Sequence, residues 1–368
     1  MFELSSDVGN YITISKEEYS YFAGNNYLGL ANNSNLKAAA ISAIDKYGIN
    51  FSASRATTGT SDLHVELERL LAEFKNQESS VVFASGYLGN RIMLSALQEK
   101  YSAVFADESA HPSIIEGIPS DISKVFFYNH YDTTHLETLL EKNQKYTPLI
   151  ITDGLFALTG EIAPLDKINS LAEHFGACLV VDDAHATGIL GRNGRGTPEY
   201  FQIETCDHLF QTETMSKALG AYGGFISASK EIIAKIWQKS SAYIGSTSLP
   251  PPLAAAGCAS IKMVQAHPEL RSRLDYNAAL IRNGVTALGY STSEHKTPII
   301  PILLNSQENA EKISNFLKEN HIIAPFIKYP VKSDKYIVRI TVSAIHTEEQ
   351  IEKLLQLLEK WRNSHGIN

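Results

Sequence analysis

Short, almost uninterrupted apolar runs recur through the first two-thirds of the chain, at 80–83, 103–106, 124–128, 149–152, 178–181, 208–211 and 224–227. Stretches of helical periodicity separate them. A strand that is apolar at every position has no solvated face, so this alternation predicts a mostly parallel seven-stranded sheet covered by helices on both sides. Ligands of such sheets sit beyond the carboxyl ends of the strands, where Gly86, Asp153, Asp182 and His185 fall. The pattern changes after Leu249-Pro250-Pro251-Pro252. A long helical stretch (253–288) is followed by a strand (299–304), a helix (307–320), a strand (336–343) and a closing helix. That helix opens with a capping box, Thr347 and Gln350, and carries one apolar stripe of Ile351, Leu354, Leu355, Leu358 and Trp361. The expected class is α/β, with an N-terminal segment (1–45), a large domain (46–250) and a smaller C-terminal α+β domain (251–368). At 368 residues the chain exceeds what one core usually serves.

Composition narrows the function classes. A net charge of −8 and the lack of any lysine- and arginine-rich block argue against a nucleic-acid or anionic-membrane surface. No apolar stretch is long enough to span a bilayer, and the acidic start of the chain carries no secretory pattern. Cys178, Cys206 and Cys258 are far apart with no Cys-x-x-Cys pair, which suits free thiols in a reducing compartment, the cytoplasm, and suggests no metal site.

Two motifs carry the candidate chemistry. Glu213-Thr214-Met215-Ser216-Lys217-Ala218-Leu219-Gly220 offers an amine on a short turn beside hydroxyls. Val180-Val181-Asp182-Asp183-Ala184-His185 puts a carboxylate at the end of an apolar strand, with an imidazole just beyond it. A lone lysine among small residues is ordinarily solvated. Paired in this order, an amine and a strand-end carboxylate are what pyridoxal 5'-phosphate (PLP) requires: a lysine to carry it and an acid to hold its pyridinium nitrogen. Phe83-Ala84-Ser85-Gly86-Tyr87 runs from a strand into a helix and suits a phosphate, with Thr214 and Ser216 as further hydroxyls. His111 follows the next strand and could stack on a ring. Arg339 lies inside an apolar strand, where a guanidinium is rarely placed without a partner and would suit a carboxylate.

These motifs resemble, in order along nearly the whole chain, those of the α-oxoamine synthases. These fold-type I PLP enzymes condense an amino acid with an acyl-coenzyme A. The resemblance is carried by Asn25-Asn26-Tyr27-Leu28-Gly29-Leu30, Ser54-Arg55, Ser85-Gly86-Tyr87, Asp182-Asp183-Ala184-His185, Ser216-Lys217-Ala218-Leu219-Gly220, Ser246-Thr247-Ser248-Leu249-Pro250-Pro251 and Arg339-Ile340-Thr341. It implies that Lys217 carries the cofactor, Asp182 pairs with the ring nitrogen, His185 contacts the ring hydroxyl and His111 stacks on the ring. Ser85, Gly86, Tyr87 and Thr214 would lie near the cofactor and its phosphate. Ser246 and Thr247 would reach the phosphate of a neighbouring subunit, which implies a homodimer with shared sites. Asn26 and Arg339 would hold the substrate carboxylate. The implied reaction is a decarboxylative condensation giving an α-aminoketone. The alternatives are another member of the family, or a PLP aminotransferase or lyase that uses no acyl-CoA.

Departures from the family pattern bear on specificity rather than on the Lys–Asp–His core. Only about 24 residues precede Asn25, where a longer leader usually helps to enclose the acyl chain. Ala157 stands in place of a serine, Ala110 and Pro112 flank His111, Glu213 replaces a glycine, and Lys328 sits where an arginine is common.

Overall fold

The computed structural model describes residues 3–327 and 335–366; Lys328 lies outside them. The strands in chain order are β1 (Tyr11–Ile14), β2 (Glu17–Tyr21), β3 (Ser79–Phe83), β4 (Ala103–Asp107), β5 (Val125–Tyr128), β6 (Pro148–Asp153), β7 (Cys178–Asp182), β8 (Leu209–Thr214), β9 (Gly224–Ala228), β10 (Ile299–Leu304), β11 (Ile322–Ile323), β12 (Phe326–Ile327) and β13 (Tyr336–Thr341). The chain groups into two compact units. One gathers 1–32, 157–161 and 267–368; the other comprises 33–156 and 162–266.

The larger unit is built on the expected seven-stranded sheet, in the order β3-β9-β8-β7-β6-β4-β5. Its strands are parallel except β9, which runs against both β3 and β8. Alternate residues of the central strands enter opposite cores. Val104, Leu149, Ile151, Cys178 and Val180 pack with Ile92, Met93 and Ile236 on one side. Phe105, Ile150, Leu179 and Val181 pack with Leu136, Leu140 and Ile168 on the other. Both faces are therefore buried, which is why the strands read as continuous apolar runs rather than as alternating ones.

The smaller unit holds two three-stranded sheets, β1-β2-β11 and β10-β13-β12. The helical stretch expected at 253–288 is two helices, Pro251–Ala266 in the larger unit and Glu269–Ala287 in the smaller. Pro268 breaks it, since proline has no N–H to donate and its ring clashes with the preceding turn. The closing helix, Glu348–His365, has the capping box at Thr347 and Gln350 and buries Ile351, Leu354, Leu358 and Trp361.

His346 ties the turn before that helix to the smaller unit. Its ring stacks on Phe22 at 4.1 Å, Nδ1 accepts from the Ser343 N–H at 3.0 Å, and Nε2 donates to the Tyr21 carbonyl at 3.0 Å. Asn277 closes the same turn by donating to the carbonyls of Ser343 and His346, both at 3.0 Å. The pattern fixes a neutral imidazole, and burial pushes its pKa down to about 4 from the ordinary 6.5. The unfolded chain therefore binds a proton that the folded chain refuses. This contribution is complete above pH 6.5 and declines as pH falls toward 4, by about 3 kcal/mol in all. His346→Gln should lower stability at pH 7 and flatten the decline between those pH values. Urea unfolding at a series of pH values would reveal equal slopes for the two proteins if the histidine played no part.

Candidate active site

Three aspartates stand at the carboxyl ends of neighbouring strands of the larger unit: Asp107 on β4, Asp153 on β6 and Asp182 on β7. All three are buried. Asp107 accepts from the Ser109 N–H at 2.8 Å and pairs with His130 Nδ1 at 2.9 Å. Asp153 lies beside Asp182 in the sheet register and accepts from the His111 N–H at 2.8 Å. Burial first, and the Asp182 charge second, hold the Asp153 carboxyl well above the usual carboxylate range; the His111 N–H and the Lys217 charge oppose this. Asp182 receives a donor at each oxygen, from the Ala184 N–H at 3.1 Å and the Asn90 side-chain amide at 2.7 Å. His185 is buried in the loop that follows.

Lys217 sits on a cross-linked turn at the end of β8. The Gly220 N–H closes onto the Lys217 carbonyl at 3.0 Å, Met215 N–H bonds Gly223 O at 2.8 Å, and Ala221 N–H bonds Met215 O at 3.0 Å. Thr214 donates its hydroxyl to Gly223 O at 3.0 Å, while Ser216 Oγ accepts from Gly223 N–H at 3.2 Å. Both hydroxyls thus brace the turn. The loop after β7 packs directly on it: a Cβ on Gly188, whose φ is +91°, would meet Ala218 Cβ at 2.8 Å. The charge of Lys217 is felt at both Asp153 and His111. The two motifs that carried the chemistry in the sequence therefore come together.

Ser85 caps the short turn Gly86–Leu88, accepting from the Tyr87 N–H at 3.3 Å. Gly86 lies so close to β8 that a Cβ there would reach Thr214 Cβ at 2.7 Å. His111 caps the helix Pro112–Gly117, with Pro112 at a position where the missing N–H costs nothing. Its ring meets Tyr87 edge-on at 6.0 Å, and the Tyr87 hydroxyl donates to Glu116 at 2.5 Å. Ser246 is half-buried and Thr247 is exposed, and Thr247 forms an isolated bridge with Ser54.

Asn26 and Arg339 lie in the smaller unit. Arg339 is buried, donates from Nη2 to Asn25 Oδ1 at 2.9 Å, and leaves Nε with no partner. Burial pushes the neighbouring Tyr27 hydroxyl up to about 12, opposed by the Arg339 charge. Asn26 uses its side chain locally, accepting from the Ala31 N–H at 3.1 Å. The asparagine that touches the guanidinium is Asn25, one position earlier, and no sequence signal separated the two. Asn90 also escaped the sequence reading, although it bonds Asp182.

A buried ion pair underlies the turn. Lys75 pairs with Glu213, both side chains almost fully buried, and Thr187 donates to the same Glu213 oxygen at 2.7 Å. Burial pushes the Glu213 carboxyl up, and the Lys75 charge pulls it back. Neighbouring Asp183 is satisfied by Thr197 and Gln211 at 2.5–2.8 Å.

The profile of the aminotransferase class I and II family matches residues 19–358. The chain belongs to that family. It is 38% identical over 360 residues to a protein named 8-amino-7-oxononanoate synthase from Thermoanaerobacter pseudethanolicus, covering 97% of this chain and 91% of that one. An 8-amino-7-oxononanoate synthase 1 of Bacillus subtilis is 36% identical over 360 residues, covering 97% and 92%. Among solved structures, a serine palmitoyltransferase variant from S. paucimobilis with a bound PLP–myriocin aldimine superposes with a TM-score of 0.94 at 26% identity, covering 100% of this chain and 93% of that one. The 8-amino-7-oxononanoate synthase of Francisella tularensis gives 0.80 at 30% identity, covering 94% and 98%. These relatives place the chain among the α-oxoamine synthases that its motifs resemble.

The residues present fit PLP. Asp182 is held by N–H donors at both oxygens, the arrangement of a carboxylate ready for a cationic nitrogen. Gly86 gives the close backbone approach that a phosphate loop needs, and the Lys217 charge acts on Asp153 at a strand end. Among the described residues, no group of His, Cys, Asp and Glu is arranged to hold a metal ion.

The Lys75–Glu213 pair generates a stability prediction. Lys75→Met strands a buried carboxylate and should cost about 3–5 kcal/mol. Lys75→Met/Glu213→Gln should recover most of that loss in urea unfolding. Equal destabilisation by the single and double variants would show that the two side chains act independently.

Proposed function

We propose that this chain is a PLP-dependent C-acyltransferase of the 8-amino-7-oxononanoate synthase kind. It would join a small amino acid to an acyl thioester, with loss of carbon dioxide and release of coenzyme A, to give an α-aminoketone. The observation that most supports the reading is the packing of Gly188, in the loop after β7, on Ala218 of the Lys217 turn, with the charges of Asp182 and Lys217 both acting on Asp153. PLP, when bound, supplies an electron sink for negative charge at the amino acid's α-carbon.

The chain's own groups divide the remaining work. Lys217 would hold the cofactor and would serve as general base for the α-proton. Asp182 would pair with the ring nitrogen. His185 would contact the ring hydroxyl, His111 would stack on the ring, and Ser85, Gly86, Tyr87 and Thr214 would lie near the cofactor and its phosphate. Arg339 receives the substrate carboxylate: its buried Nε has a donor to give, and Asn25 already orients the fork. Asn26 would bind the same carboxylate.

The enzyme acts as a homodimer in the cytoplasm, with Ser246 and Thr247 reaching the partner's phosphate site. The exposed apolar side chains Ile41, Ile49 and Val65, which are 60%, 68% and 58% accessible, support such a partner surface. No described helix is long and apolar enough to cross a membrane.

The test is thiol release from acyl-CoAs of varied chain length on adding alanine, glycine or serine. Amino-acid-dependent release is expected. Transamination or cleavage without thiol release would favour an aminotransferase or lyase instead. The purified protein should carry a visible PLP band, and borohydride should fix the cofactor to Lys217. Lys217→Ala should lose both, and a reducible adduct on another lysine would reassign the role. Arg339→Lys keeps charge but loses the fork, so the KM for the amino acid should rise about 10- to 100-fold while PLP binding and the acyl-CoA KM change little. A wild-type amino-acid dependence in a folded Arg339→Lys protein would remove Arg339 from substrate binding.

A further inference from the structure

Asn90 is fully buried on the helix Gly89–Leu97, and its carboxamide joins groups from three other places in the chain. Its amide nitrogen donates to Asp182 Oδ2 at 2.7 Å and to Ser113 Oγ at 3.0 Å. Its oxygen accepts from the Thr212 hydroxyl at 2.7 Å. Ser113 Oγ in turn lies 2.7 Å from His111 Nδ1, which also accepts from the Ser113 N–H at 3.2 Å.

The directions follow from which atoms carry hydrogens. A carboxylate only accepts, so the nitrogen of Asn90 must face Asp182, and the Thr212 hydroxyl holds the amide that way round. Ser113 Oγ receives the second hydrogen of the same nitrogen and spends its own hydrogen on His111 Nδ1. The ring nitrogen that accepts from both the hydroxyl and the N–H of Ser113 carries no proton itself, so the proton sits on Nε2.

We propose that Asn90 is a positioning residue that links Asp182 and His111 through one directional hydrogen-bonded chain. It would fix which carboxylate oxygen is presented to the cofactor and keep His111 in the neutral Nε2–H tautomer. The proposal rests on the PLP reading of this site, since its value to the reaction lies in how these two groups meet the ring. Burial lowers the pKa of His111, consistent with a neutral ring; the charges facing it are those of Asp182, Lys217 and Glu116. Asp153 bonds its backbone N–H.

The chain has a consequence that a purely structural asparagine lacks. In Asn90→Asp, two carboxyl groups at this distance share a proton, with the new side chain donating to Asp182. The oxygen that replaces the amide nitrogen then accepts from Ser113, drawing the Ser113 hydroxyl hydrogen away from His111. The imidazole should shift toward the Nδ1–H tautomer.

The experiment is NMR of the PLP-loaded enzyme labelled with 15N-histidine, with His111 assigned by the signal missing in His111→Gln. The parent should show a neutral Nε2–H ring. Asn90→Asp should move that signal toward the other tautomer. It should also lower kcat by about 10- to 100-fold, the range for partners that orient a catalytic ligand, with a smaller change in amino-acid KM. If Asn90→Asp does not fold, Ser113→Ala removes the link to His111 with little change in volume and should yield a mixture of tautomers. An unchanged His111 signal in whichever variant folds, or a kcat within about 2-fold of the parent in Asn90→Asp, overturns the proposal. Failure of the PLP reading would look different: the parent itself would lack the visible cofactor band, whatever the histidine signals showed.

Discussion

A sheet covered on both faces is the constraint on which the larger unit depends. An unpaired charge cannot be placed along strands whose side chains enter a core, because desolvation costs several kcal/mol per unpaired ion. Polar chemistry is therefore confined to the points where the strands leave the sheet. Asp107, Asp153 and Asp182 occupy three such ends side by side, and each is supplied with N–H donors. The sheet decides where the carboxylates stand. Their hydrogen bonds hold them in place.

Beneath the Lys217 turn, the same constraint is met by pairing. Glu213 points into the interior one residue before Thr214 and would be untenable alone. Lys75 reaches it from the end of the helix Asp62–Lys75, and Thr187 reaches it from the loop that carries His185. A buried pair of this kind is a weak source of net stability, since its desolvation offsets much of its attraction. What it provides is registration of three segments that are distant in sequence and end at the site. Where the resemblance leads one to expect a glycine, this chain has tied its lysine turn to its histidine loop.

The sheet and much of the candidate site were legible in the sequence because each had a local signature. Double-sided burial wrote itself as apolar runs, and strand-to-turn motifs announced Lys217, Asp182 and Gly86. β1 and β2 were not legible: Tyr-Ile-Thr-Ile and Glu-Glu-Tyr-Ser-Tyr are short and mixed, and β2 pairs with β11 some 300 residues away. Asn90, Lys75 and Asn25 were missed for a related reason. Their meaning lies in bonds to Asp182, Glu213 and Arg339, and no periodicity encodes a contact across such separations. For the same reason, 1–32 and 267–368 share a unit that no single cut along the chain describes.

Arg339 illustrates how an apparent cost in the fold becomes informative. It sits at the centre of β13, opposite Pro301 of β10, an edge strand where a proline is tolerated because no ladder donor is needed on that side. Its backbone N–H bonds the Pro325 carbonyl at 3.0 Å, so the strand itself is satisfied. The guanidinium is not: among its buried nitrogens, Nη2 has Asn25 and Nε has no partner. Leaving a charged donor unmet costs more than an average hydrogen bond gains. A fold that needed only packing here would be better served by an apolar residue of similar size. Under the proposed function, a substrate carboxylate would offset that cost by supplying two acceptors in the plane of the fork. Asn25 already bonds the fork at Nη2, so the plane would be partly set before such an anion bound.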